Sequence, residues 1–179
     1  MPARKKVLAI VGSRRKSSTN LNLVHAISKL ASPLFDLTVF EGLSDLPHFN
    51  PDNDLDNPPD EVLRFREQLK TADGILICTP EYAMGVPGTL KNAIDWTVSS
   101  SSFSQKPTAL ITASLSGEKG HASLMDTLKV IEAGVTEATQ LIISYASTKV
   151  SKEPQITDEA TAASINRLIE AFNELMTHE

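Results

Sequence analysis

The chain has 179 residues, 41% of them hydrophobic and 22% charged, which suits a globular protein with room for one sizeable core and predicts a single domain over 1–179. Its formal charge of −5, with basic residues bunched only at 4–6 and 14–16, excludes the extended basic face that a nucleic-acid partner needs. No run of about 18 apolar residues is there to span a membrane, and the single cysteine, Cys78, excludes an intrachain disulfide framework and multi-cysteine metal sites. No metal is expected. The opening MPARKKVLAIVG is basic at first, but its apolar part is too short for a secretory signal, so a cytoplasmic protein is expected.

In chain order, VLAIV (7–11) is the first predicted strand, and GSRRKSSTN (12–20) leaves it. A helix follows Thr19, with Leu21, Val24, Ile27 and Leu30 stepping by three until Pro33 stops it. FDLTVF (35–40) alternates and predicts an edge strand. Residues 42–58 are long for a connector; a binding or interface segment and a plain solvated loop fit equally. After Pro58-Pro59 comes a helix with Val62, Phe65 and Leu69 on one face. Then follow the strand ILIC (75–78), a short helix over 90–96, the strand ALIT (109–112), a helix over 123–132 and the strand LII (141–143). Asp158 is placed to cap a last helix carrying Ile165, Leu168, Ile169 and Phe172. Except for 35–40 the strands lack period-two alternation, as in a parallel sheet buried on both faces. Strand and helix alternate five times, which predicts an α/β, doubly wound, five-stranded parallel sheet in a three-layer sandwich. Its ligand crevice lies at the carboxyl ends of the strands, which loops 12–19, 79–88 and 113–120 would border.

The first of these loops combines the hydroxyls of Ser13, Ser17, Ser18 and Thr19 with Arg14, Arg15, Lys16 and a helix N-terminus, the parts of a phosphate cradle. The same residues also fit an N-capped helix with solvated basic neighbours. The loop lacks the second glycine and Lys-Ser/Thr pair of a nucleoside-triphosphate loop, and it has only Gly12 where the dinucleotide fingerprint needs three glycines. A terminal monophosphate such as that of FMN fits better.

The second loop, PEYAMGVPGTLKNAIDW (80–96), is shaped for a flat ring. Pro80 stiffens the strand exit, residues 81–85 offer successive amides, and Met84 and Tyr82 offer apolar surface. Trp96 is expected in the core, Lys91 and Asp95 as an i,i+4 pair, and Cys78 as inert packing.

These two stretches together resemble the NAD(P)H-dependent FMN reductases, a flavodoxin-like family that includes quinone, azo-dye and chromate reductases. The family's Gly-Ser-x-Arg-x-x-Ser-x-Asn is matched by Gly12, Ser13, Arg15, Ser18 and Asn20. Its Pro-Glu-Tyr-Asn, with Pro-Gly and Leu-Lys-Asn-Ala-Ile-Asp-Trp further on, is matched except that Ala83 replaces Asn. The resemblance covers residues 5–145 and implies a flavodoxin-like fold. It implies that Ser13, Arg15, Ser18, Thr19 and Asn20 hold the FMN phosphate, and that Pro80, Glu81, Tyr82, Ala83 and Met84 line the flavin. In the third loop, ASLSGEKGHAS (113–123), Ser114 and Gly120 match, which implies that Ser114 also binds the cofactor, while His121 replaces a second glycine and reads as an exposed helix-start histidine rather than a substrate donor.

The implied function is an oxidoreductase that takes a hydride from NADPH or NADH onto FMN and passes electrons to a small-molecule acceptor (quinone, flavin, azo dye or metal oxyanion) by a ping-pong route. No side chain is assigned as catalytic, because the cofactor carries the chemistry. A homodimer or homotetramer is implied, with no nucleic-acid or membrane partner. Two alternatives remain at this stage: an electron-carrier flavodoxin, and a non-flavin binding module on the same fold.

Overall fold

A computed structural model describes residues 4–13 and 18–177. Five strands, β1 (Lys5–Val11), β2 (Phe35–Val39), β3 (Gly74–Thr79), β4 (Thr108–Ala113) and β5 (Gln140–Ile143), form one all-parallel sheet in the order β2-β1-β3-β4-β5. Helices α1 (Thr19–Ala31), α2 (Asp60–Thr71), α3 (Gly88–Asp95), α4 (Glu118–Val130), α5 (Ala146–Lys149) and α6 (Glu159–Thr177) complete the α/β arrangement.

Adjacent residues on the inner strands point into different cores, which explains their unbroken apolar character. Val7, Ala9, Leu76, Cys78, Ala109 and Ile111 pack with Leu23 and Ile27 of α1 and Ile165 and Phe172 of α6. Leu8, Ile10, Ile75, Ile77 and Leu110 pack with Phe65 of α2, Ile94 of α3 and Leu124 and Leu128 of α4. Burying one such side chain contributes about 1.5–3 kcal/mol before conformational entropy is counted.

β2 lies at one edge and alternates in burial, as its sequence predicts. β5 departs from expectation. It is the opposite edge strand, and only Ile143 of its four residues is buried, so its apolar run is not a sign of burial on both faces.

The long connection at 42–58 is mostly exposed but is tied to the rest of the protein at several points. Leu43 and Leu46 are buried, and the Pro47 carbonyl accepts from Trp96 Nε1 at 2.8 Å and Asn92 Nδ2 at 2.9 Å. Asn92 Oδ1 accepts in turn from the Phe49 N–H at 2.8 Å, the Phe49 ring meets Trp96 edge-on, and Asp54 pairs with Arg66. Trp96 is in the core and Lys91 bonds Asp95 at 2.6 Å, both as expected. The last helix begins as predicted, with Asp158 Oδ1 accepting from the Thr161 N–H at 2.8 Å.

Helix α4 starts at Glu118, five residues before the expected start at 123, because two local features allow it. Gly117 takes φ +99°, which glycine adopts without a Cβ penalty, and a carboxylate from another loop meets the first turn.

Candidate functional site

β1 lies between β2 and β3, so the strand order reverses its direction of winding between β1 and β3, and the carboxyl ends of β1, β3, β4 and β5 open onto a cavity of about 440 Å³. Its wall contains Ser13, Ser18, Thr19, Asn20 and Asn22 from the first loop and α1. Pro80 and Tyr82 come from the second loop and Ala113, Ser114 and Leu115 from the third. A fourth part, Ala146, Ser147, Val150, Ser151 and Lys152, follows β5.

Gly12 allows the ends of β1 and β3 to meet: its N–H donates to the Cys78 carbonyl at 2.9 Å, and a Cβ there would collide with Thr79 Oγ1. The chain then reaches α1, whose N-cap is Ser18. Ser18 Oγ accepts from the Leu21 N–H at 3.0 Å, which leaves its hydroxyl proton to donate. Asn20 is committed at both ends of its amide: Nδ2 donates to the Ala113 carbonyl at 3.0 Å and Oδ1 accepts from Cys78 Sγ at 3.3 Å. This side chain therefore ties α1 to β3 and β4. The first turn of α1 holds no acidic residue, so its positive dipole end meets the cavity without an internal counter-charge. Arg15 lies outside the described residues.

Residues 82–85 form a tight hairpin turn. Tyr82 and Gly85 exchange both backbone hydrogen bonds at 2.9 Å, and φ is +49° at Ala83 and +63° at Met84. Positive φ at both central positions is the type I′ signature, which favours Asn and Gly. The Tyr82 and Gly85 amides are thus spent within the turn, and the run of five free amides expected from the sequence is shorter. Among the described residues no acceptor takes the Ala83 or Met84 N–H. Tyr82 stands in the cavity wall, whereas Ala83 and Met84 form the apex outside the lining, with Met84 74% exposed.

Glu81 turns away from the cavity. Its carboxylate accepts from the Gly120 N–H at 2.6 Å, inside the first turn of α4, where helix dipole and open donors both favour a negative charge. Gly120 is needed for this approach, since a Cβ would stand 2.8 Å from the Gly85 carbonyl. Ser114 Oγ reaches the Glu81 carbonyl at 3.5 Å, too long for a strong bond.

His121 corrects the sequence reading. It is only 7% exposed, with Nδ1 2.9 Å from Thr112 Oγ1 and Nε2 3.1 Å from Gln140 Oε1. The helix starts early enough to turn this side chain inward, onto β4 and β5. Cys78 is fully buried, and burial pushes its thiol well above the usual range, as inert packing predicts.

Sequence reasoning missed the wall after β5 and Asn22. The usable signal was position: the fifth strand's carboxyl end also borders the crevice, and the polar cluster 146–152 follows it.

This sheet order and crevice define a flavodoxin-like α/β protein whose cavity favours an anion at a helix N-terminus. Residues 5–148 match the family described as NADPH-dependent FMN reductase, and the chain belongs to that family. A quinone reductase of Pseudomonas putida is 41% identical over 111 residues, 60% of this chain and 59% of its own length. A 2-hydroxy-1,4-benzoquinone reductase of a Burkholderia species is 32% identical across 93% of both chains. The structure of FerB, a flavoenzyme NAD(P)H:(acceptor) oxidoreductase from Paracoccus denitrificans, superposes with a TM-score of 0.86 at 31% identity, covering 97% of each chain.

Proposed function

We propose that this protein is an NAD(P)H-dependent FMN oxidoreductase that reduces a quinone. The observation that carries the reading is the cavity itself, which joins hydroxyls at an acid-free helix N-terminus to an exposed aromatic turn in one crevice. That donor set fits a flavin mononucleotide: Ser13, Ser18, Thr19 and the opening amides of α1 suit the phosphate, with Arg15 as the charged partner expected from the sequence. Pro80, Tyr82 and Ser114 suit the ring end. FMN, when bound, supplies the redox chemistry.

The chain's own part is binding, orientation and exclusion of water. The amides at 83 and 84, at the apex beyond the lining, are free among the described residues to donate to a ring that reaches past the cavity rim, and Tyr82 in the wall offers it apolar surface. The Glu81–Gly120 bond ties the base of this turn to the first turn of α4. No side chain need transfer a proton. The names of the Burkholderia and Pseudomonas putida relatives support a quinone as acceptor, and the exposed rim of Tyr82, Met84 and Leu115 offers it apolar contact.

One cavity serving both substrates in turn predicts ping-pong kinetics. Steady-state rates with NADPH and a benzoquinone are expected to give parallel double-reciprocal lines. Intersecting lines at every acceptor concentration would mean that both substrates bind together, against this reading.

A further inference from the structure

We propose that Lys152 holds the phosphate end of the flavin, carried on a small hairpin over 150–156 that Asn22 fastens to α1; this rests on the FMN-binding reading above. Residues 150–156 lie beyond the segment that matches the reductase family, which ends at 148. Val150, Ser151 and Lys152 nevertheless line the cavity. Val150 and Ile156 bridge antiparallel, the Ser151 N–H donates to the Gln155 carbonyl at 3.0 Å, and the Thr157 N–H donates to the Lys149 carbonyl at 2.8 Å. The hairpin is thus a shaped element. Asn22 Nδ2 donates to both the Ser151 carbonyl, at 3.0 Å, and the Lys152 carbonyl, at 3.1 Å. That fork sets the lysine against the start of α1.

Charge gives the occupant. Among the described residues lining the cavity, Lys152 is the one that carries a charge; the others are hydroxyl, amide or apolar. Among the described residues its ammonium also has no carboxylate partner. A cation that has no carboxylate partner among the described residues, facing an acid-free helix N-terminus across a polar cavity, suits a dianion between them. A phosphomonoester meets that requirement, and the flavin's terminal phosphate is the one assigned here.

The test is fluorescence titration of the flavin-free protein with FMN and with riboflavin, which has the ring but no phosphate. Lys152→Met is expected to weaken FMN binding about tenfold, the loss of one charge-assisted contact, and to leave riboflavin unchanged. Lys152→Arg should recover most of the FMN affinity. Asn22→Ala should weaken FMN selectively too, and Lys152→Met added to it should cost little more, because both act through one contact.

Unchanged FMN affinity in Lys152→Met, or an equal loss for FMN and riboflavin, would overturn the proposal. So would a raised KM for NADPH but not NADH with FMN affinity intact, which would assign the lysine to the nicotinamide co-substrate's phosphate. If the wild-type protein binds neither flavin, the functional reading itself fails, an outcome distinct from all of these.

Discussion

At the residue scale, Ala83 is the most informative position in the site. Its φ of +49° places an alanine in the left-handed region, where an L-residue other than Gly, Asn or Asp is strained by roughly 1–2 kcal/mol. The family motif's Asn at this place now has a backbone reason: it tolerates the first central position of a type I′ turn. Ala83→Asn is therefore expected to stabilise the protein by about 0.5–1 kcal/mol, read as a raised urea midpoint with unchanged slope. FMN should bind at least as tightly, because the backbone amide stays. A lower midpoint would show that the apex has no room for a carboxamide, and that turn strain is not what position 83 carries.

At the scale of elements, the second loop and α4 stabilise one another through Glu81. Glu81→Ala removes a charge-assisted bond to the Gly120 N–H and a favourable charge at a helix N-terminus. The expected loss is about 1.5–3 kcal/mol in chemical denaturation, with weaker flavin binding as the turn loosens. Glu81→Gln should recover part of it, since its amide oxygen still accepts. If Glu81→Ala kept full stability, α4 would be holding its own N-terminus.

Asp158 gives a pH prediction for α6. The Thr161 hydroxyl and N–H hold its carboxyl below the ordinary value of 3.8, so the folded state binds this proton more weakly than the unfolded chain. The stabilisation is fully present above the unfolded value and is lost as pH falls through the lower folded value. Asp158→Asn, which still caps, should flatten this acid-side decline in thermal stability between about pH 4 and 2 relative to wild type. Parallel profiles for the two proteins would remove the cap from the account.

Much of this element scale is legible in the sequence. The five strands, the cap at Asp158, the burial of Trp96 and the Lys91–Asp95 pair all follow from local pattern. What local pattern does not carry is whatever depends on a partner distant in the chain. The early start of α4 and the inward His121 depend on Glu81 and Gln140, and β5's place at the edge on the absence of a further strand beside it among the described residues. The wall at 147–152 depends on Asn22 reaching across about 130 residues of chain. Turn chemistry hid the rest: PEYAMG reads as a run of free amides until the Tyr82–Gly85 pairing takes two of them.

At the scale of the whole molecule, a 2-1-3-4-5 sheet brings four loops from distant parts of the chain to one end, and cofactor and substrate chemistry would be concentrated there. An oxidoreductase and an electron carrier share this architecture, and they differ in whether a nicotinamide can deliver its hydride inside the same cavity. Anaerobic stopped-flow mixing of the FMN-loaded protein with NADPH tests this most directly, followed at the oxidised flavin band near about 450 nm. The band is expected to bleach within the turnover time and to return when a benzoquinone is added. A bound flavin whose band stays unchanged with excess NADPH, yet bleaches with a chemical reductant, would contradict this and leave an electron carrier.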